Sequence, residues 1–190
     1  MCANLSSDSY RFFVRAGVTD PDEQRQLYDL LIECDGDFVP PLSFRRSTTQ
    51  AALSGSEHNP DGVRDYFNAL IAQHVVLCAG NGRIAGFLSF RPEYTCDALS
   101  DGATYCYLST MAVSHACRGQ HISPRLYRAA MDWAREHLPG RPVLLRTWST
   151  NRAQAHLMPE LGFEEVLRLP NDRGCGVDTV YYRHANATSA

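Results

Sequence analysis

Apolar and polar positions along this chain repeat with two different periods, and the switches between them outline an α/β fold. Tyr10 to Ala16 has the pattern of a strand, and Thr19-Asp20-Pro21-Asp22-Glu23 is a dense helix-start signal. Leu27, Leu30, Leu31 and Cys34 then recur at helical spacing. Asn59-Pro60 predicts a second helix start, ahead of Val63, Tyr66, Phe67, Leu70 and Ile71. His74 to Ala79 and Arg83 to Phe90 read as a hairpin around the Asn81-Gly82 turn. A further strand carries Tyr105, Tyr107, Leu108, Met111 and Val113. It runs into a turn at Arg118-Gly119 and a helix start at Ser123-Pro124, with serine as the cap. Leu126, Tyr127, Ala130, Met131, Ala134 and Leu138 mark the apolar stripe of that helix. Val143 to Trp148 predicts another strand, Asn151 the entry of a short helix and Gly162 its exit. Glu164 to Leu169 and Val177 to Arg183 form a last hairpin across PNDRGCG.

Composition fits one compact domain. The 190 residues are 44% hydrophobic, enough for a sizeable core, and we expect a single domain over residues 1–185 with a frayed tail at 186–190. No run of about 18 apolar residues is present, which excludes a helical membrane span. The N-terminus lacks the basic-then-apolar order of a secretion signal. Seven scattered cysteines without a C-x-x-C pair read as reduced thiols, giving an expectation of a cytoplasmic protein without a structural metal. The formal charge of -3 gives no encouragement to nucleic-acid binding.

The chemistry concentrates in Thr104 to Trp133, where a strand ends in a basic, glycine-containing turn that opens a helix. Unpaired backbone N–H groups at such a turn hold phosphate, which points to a phosphorylated cofactor. Together with VLLRTWSTNRAQAHLMPELGFEEV, this segment resembles the GNAT superfamily of N-acetyltransferases, over roughly residues 74–183. Val113 and Arg118-Gly119-Gln120-His121-Ile122-Ser123 lie on the family's R-x-x-G-x-G/A cofactor motif, with His121 and Ser123 where small residues are usual. Asn151, Leu157 and Gly162-Phe163 match the later N-x-x-A-x-x-L-Y…G-F motif, whose usual tyrosine is here Met158.

The resemblance implies a mixed, mostly antiparallel central sheet flanked by about four helices, and acetyl-CoA as acyl donor. It implies that the turn from Arg118 to Ser123 binds the pyrophosphate and that Met111, Ala112 and Val113 pair with the pantetheine arm. The Met111 amide would polarise the thioester carbonyl, and Asn151 would contact the same arm. The positions of the family's usual base are Tyr107 and Ser109, neither a strong base near neutral pH, though both could order a water.

The acceptor is expected to be an amine, most simply a small molecule or an amino-acid-like compound. The connection Asp35 to His58 is long enough to be functional. In it Asp35 and Asp37 could attract a cationic amine, Phe38 and Phe44 could wall a pocket, and Arg45 could recognise a carboxylate. A peptide or aminoacyl-tRNA acceptor and a non-catalytic acyl-CoA-binding module remain open. The resemblance is also compatible with a homodimer.

Overall fold

The computed structural model describes residues 10–53, 57–59 and 61–186. Seven strands form one sheet in the order β1-β2-β3-β4-β5-β7-β6. They are β1 Arg11–Ala16, β2 His74–Gly80, β3 Arg83–Thr95, β4 Thr104–Val113, β5 Val143–Trp148, β6 Glu164–Leu169 and β7 Thr179–His184. All neighbours are antiparallel except β4 and β5, whose parallel pairing is confined to Cys106–Leu108 against Val143–Leu145.

Four helices cover the sheet: α1 Pro21–Cys34, α2 Gly62–Ile71, α3 Ile122–His137 and α4 Arg152–Glu160. Pro60, part of the expected start of α2, lies outside the described residues, and Asp61 takes the cap position. In α1 the Asp20 carboxylate accepts from the amides of Asp22 and Glu23, and Pro21 fills the first position. The apolar stripe of α3 packs on one face of the sheet with Cys106, Leu108, Val113, Val143 and Leu145. On the opposite face, α1 and α2 cover Val75, Leu77, Phe87 and Ala112. A smaller cluster at the far end of that face holds Tyr105, Tyr107, Leu144 and Tyr181.

Two boundaries differ from the sequence pattern. β3 continues past Phe90 to Thr95, pairing Tyr94 with Tyr105 beyond a register shift. At the other end of the chain Asn186 is buried, its side-chain amide donating to the carbonyls of Leu138 and Arg141, so the chain is tied through 186 rather than frayed there. Residues 187–190 of the expected tail lie outside the described residues.

Candidate active site

The site is created by one extra residue in β4. Ser89 pairs with Thr110 but Phe90 pairs with Leu108, so Ser109 is the unmatched residue of a β-bulge. A bulge of one residue reverses which side chains face which side of the sheet. Cys106 and Leu108 face α3 before it, and Met111 and Val113 face α3 after it, while Thr110 turns to α2 and meets the Tyr66 hydroxyl at 2.6 Å.

Beyond the bulge β4 stays with β3 and leaves β5. The Ser114 amide donates to the Ala85 carbonyl at 2.9 Å, and bonded and unbonded pairs alternate along an antiparallel ladder. Counting back through Gly86–Val113, Phe87–Ala112, Leu88–Met111 and Ser89–Thr110, Ala112 and Thr110 bond to β3. Met111 and Val113 therefore point their peptide groups away from β3, into the gap where β5 has separated. The Val113 carbonyl accepts from Arg118 Nε at 3.4 Å and lies 3.7 Å from Cys34 Sγ. A cleft of about 510 Å3 occupies the gap and reaches both faces of the sheet.

At one end of the cleft is the turn that opens α3. Gly119 has φ +76° and His121 has φ +55°, both left-handed, and α3 begins at Ile122. The expected cap at Ser123 is thus corrected: His121 holds the cap position without a capping side-chain bond, and Ser123 lies in the first turn. Packing sets this start, because Ile122 is buried beside Gly86, where an added Cβ would lie 3.3 Å from the Ile122 side chain and 3.0 Å from the Ala112 carbonyl. The first-turn amides of α3, which lack intrahelical acceptors, lie at this end of the cleft.

Arg118 lines the cleft but is bonded to the Asp37 carboxylate, which also meets His115 Nε2 at 2.8 Å. Burial would raise the Asp37 carboxyl, but the bonds from His115 and Arg118 outweigh it and hold the group below the usual carboxylate range. Glu33 accepts from the His115 amide at 2.6 Å and completes the latch between α1 and the turn. Cys34, Asp37 and His115 lie close enough together to share a cation. Their chemistry is already accounted for by Arg118 and by burial, which pushes the Cys34 thiol up to about 12 and away from the thiolate a metal requires.

On the α3 side, Asn151 caps α4 by accepting from the Gln154 amide at 3.2 Å and donates to Thr147 Oγ1. Gln154 Nε2 donates to the Tyr127 hydroxyl at 2.8 Å, leaving the phenol proton free, and burial raises the Tyr127 pKa. Asn151, Gln154 and Tyr127 all line the cleft. Met158, at the position of the family's tyrosine, is fully buried in the core and does not.

The opposite side of the cleft is built by the connection after α1, the end of β5 and the β6–β7 turn. Val143 and Leu145 face α3, so Arg146 and Trp148 face away from it. Arg45 and Arg173 are buried, and both donate to the Val39 carbonyl, at 3.1 and 2.6 Å. Phe38 lies 6.0 Å from Trp148, with Arg45 over the Phe38 ring and Arg173 over the indole.

Of the expected site residues, Ser109, Met111, Ala112, Val113, Arg118, Gly119, His121, Ile122, Ser123, Asn151, Asp37, Phe38 and Arg45 line this one cleft. Others do not. Tyr107 is buried in a stack with Tyr94 at 4.3 Å, because the bulge turns it away from the gap. Gln120 accepts from the Tyr10 hydroxyl, Asp35 accepts from the amide and hydroxyl of Ser43, and Phe44 packs on His58. Tyr127, Gln154, Arg146, Trp148 and Arg173 were not singled out by the sequence. Their signal is faint: Arg146 and Trp148 occupy alternate positions of a strand whose other face is apolar.

The family model of the acetyltransferase (GNAT) family matches residues 25–163. The chain belongs to that family and is an N-acetyltransferase. A GNAT-family protein from Desulfovibrio desulfuricans superposes with a TM-score of 0.67 at 14% identity, covering 94% of this chain and 99% of the other. YncA of Salmonella typhimurium, solved with its cofactor acetyl-CoA, gives 0.61 at 18% identity over 95% and 96% of the two chains. The ribosomal-protein-S18-alanine N-acetyltransferase of Escherichia coli gives 0.60 at 14% identity over 95% and 97%. No curated protein sequence matches the chain. The mixed sheet and four helices agree with the fold that the sequence resemblance implies.

Proposed function

We propose that the protein transfers an acetyl group from acetyl-CoA to the primary amine of a small acceptor by direct attack on the thioester. The observation that carries this reading is the open edge of β4, where Met111 and Val113 present peptide groups to a gap that ends at the glycine turn of α3. That donor set fits acetyl-CoA. An extended pantetheine arm would pair with the edge as an added strand, and the first amides of α3 would take the pyrophosphate. Beyond the β4 edge and the α3 turn the same cleft is walled by Phe38, Trp148 and the buried Arg45 and Arg173, a lining that suits a small acceptor better than a peptide or a tRNA.

In this reading the Met111 N–H stabilises the charge that develops on the thioester oxygen. The amine nitrogen bonds to the acetyl carbon, the carbon–sulfur bond breaks, and the nitrogen gives up a proton to water. Ser109 orders that water: its hydroxyl lies 2.7 Å from Gln73 Oε1 and 2.9 Å from Ser89 Oγ, in a chain that continues from Gln73 Nε2 to Thr48. The Tyr127 hydroxyl donates a hydrogen bond to the departing sulfur. Its raised pKa suits donation without loss of the proton, and solvent then protonates the thiolate. The test is an amine acceptor screen with acetyl-CoA that detects released thiol, run beside a direct CoA titration. Tight CoA binding without thiol release above the no-acceptor rate, across pH and with peptide and tRNA acceptors included, would replace the enzyme reading with a CoA-binding module.

A further inference from the structure

Three arginines from distant parts of the chain meet on the side of the cleft opposite α3. Arg45 comes from the connection after α1, Arg146 from β5 and Arg173 from the β6–β7 turn, and all three line the same cavity. Arg45 and Arg173 are 7% and 6% exposed, well below what long charged side chains usually keep. Their close approach is fixed by the Val39 carbonyl, which accepts from both. Their other bonds are to neutral groups: Arg45 to the Pro40 carbonyl and the Tyr66 phenol, Arg146 to the Gln50 carbonyl and the Tyr181 phenol, Arg173 to Thr179 Oγ1. Among the described residues none of the three forms an ion pair. The neighbouring carboxylate of Asp172 accepts from Thr179 instead.

Such a grouping is costly in isolation. Burial pulls the Arg173 guanidinium down to about 9, and the fields of Arg45 and Arg146 add to the pull. Arg45 is lowered by burial, with Tyr66 opposing and Arg146 adding to the pull, whereas the phenols of Tyr107 and Tyr181 outweigh burial at Arg146 and raise it. The phenols beside them, Tyr107 and Tyr181, are themselves raised by burial and so remain neutral, adding no compensating charge. Guanidinium groups stay protonated in proteins, so the pocket keeps its positive potential. Buried charges are ordinarily paired, and a planar carboxylate fits guanidinium donors in a bidentate geometry.

We infer that the acceptor is a small primary amine that also carries a carboxylate, held by Arg45, Arg146 and Arg173 with its aliphatic part against Phe38 and Trp148. This inference rests on the acetyl-transfer reading for the identity of the amine, but not for the recognition of the anion. The pocket is shaped against polycationic acceptors, since a second ammonium group would meet the arginines.

The experiment pairs each of a panel of α-, β- and γ-amino acids with its carboxamide, and adds aminophosphonic acids as a third arm. Binding to the protein–CoA complex is measured by calorimetry, and turnover with acetyl-CoA by thiol release. The expected result is about ten- to a hundredfold tighter binding, or lower KM, for at least one amino acid over its amide. Arg173→Gln should remove that preference while CoA affinity is retained; Arg45→Lys, which keeps the charge but not the fork, should weaken it. Carboxylate-dependent binding without turnover would support the inference and count against the acetyl-transfer reading. Equal binding of acids and amides across the panel would overturn it, leaving the arginines as a brace for the Val39 carbonyl. A loss of CoA affinity in Arg173→Gln without any acid preference in the wild type would also overturn it and assign the arginines to the cofactor. The wild-type comparison decides the matter even if the variants do not fold.

Discussion

Arg118 and Asp37, 81 positions apart, are joined through Nη2 and Oδ2 at the mouth of the cleft. The motif arginine thereby latches the end of α1 to the turn that begins α3. Both side chains are partly exposed, 49% and 38%, so the pair contributes about 0.2–1 kcal/mol. Arg118→Glu should weaken CoA binding at least tenfold, because it frees the turn and sets a second carboxylate beside Asp37 and the pyrophosphate. Asp37→Asn should cost only a few-fold. Unchanged CoA affinity in folded Arg118→Glu would place the pyrophosphate elsewhere.

The same latch gives a pH dependence. The Asp37 carboxyl is held below its ordinary value of about 3.9, so the folded state binds this proton less readily than the unfolded state. Its stabilising contribution is complete above about pH 4 and is lost as pH falls through the lower folded value. The stability difference between wild type and Asp37→Asn, measured by urea unfolding, should therefore shrink as pH falls below about 4. A difference that grows as pH falls from about 4 would contradict the assignment.

His121 stands at φ +55°, where a side chain costs about 1–2 kcal/mol and glycine costs little. Glycine also loses more chain entropy on folding, by about 0.5–1 kcal/mol, so the two effects partly cancel. His121→Gly should leave the protein equally stable or up to about 1 kcal/mol more stable, with CoA affinity unchanged or improved. Gly119→Ala, at φ +76°, should do the opposite and lower CoA affinity several-fold. Thermal melts and CoA titrations of the two variants check both signs; a large affinity loss in His121→Gly would make the imidazole a direct ligand.

Tyr107 and Ser109 look equivalent along the strand, yet the bulge separates them. Tyr107→Phe should keep kcat/KM within about twofold, since the ring is buried against Tyr94 away from the cleft. Ser109→Ala should lower kcat/KM about tenfold, short of the 10²–10⁴ expected for a positioned base, with the largest loss below the acceptor's pKa. A kcat/KM–pH profile of each variant distinguishes them. A Tyr107→Phe loss exceeding that of Ser109→Ala would reverse the roles.

All seven strands were legible because runs of strand length rich in apolar, aromatic and β-branched residues are bounded by turn residues, as in His74 to Phe90 around Asn81-Gly82. The site was legible only in part. Ser109-Thr110-Met111 reads as uninterrupted strand, and nothing local reveals that Ser109 is unmatched, because a bulge is a property of two strands. His121 is not a residue that announces a left-handed position, and the buried start of α3 against Gly86 outweighs the capping signal at Ser123-Pro124. Arg45, Arg146 and Arg173 meet only through the fold. In sequence they are more than 25 positions apart, with Arg45 beside Arg46 and Arg173 beside Asp172.

Position 158 holds a methionine and supplies no acid. Met158 is fully buried in the core on the α3 side and is absent from the cleft lining, so a tyrosine there would have to displace packed neighbours. Met158→Tyr should lower stability by about 1–3 kcal/mol, as overpacked cores do, and should not raise turnover. In the proposed mechanism Tyr127, which lines the cleft and accepts from Gln154, is the phenol that donates to the leaving sulfur. Tyr127→Phe should lower kcat about ten- to a hundredfold, short of the 10²–10⁴ of a group that transfers its proton because the phenol only donates a hydrogen bond, with CoA affinity little changed. Gln154→Leu should reproduce a smaller part of the same loss, since the phenol would no longer be oriented. Turnover measured at saturating acceptor, with a CoA titration and a melt on each variant, separates chemistry from folding. Full kcat in Tyr127→Phe would remove the phenol from the reaction, and a gain in kcat for Met158→Tyr would show that the core at 158 opens to the thioester.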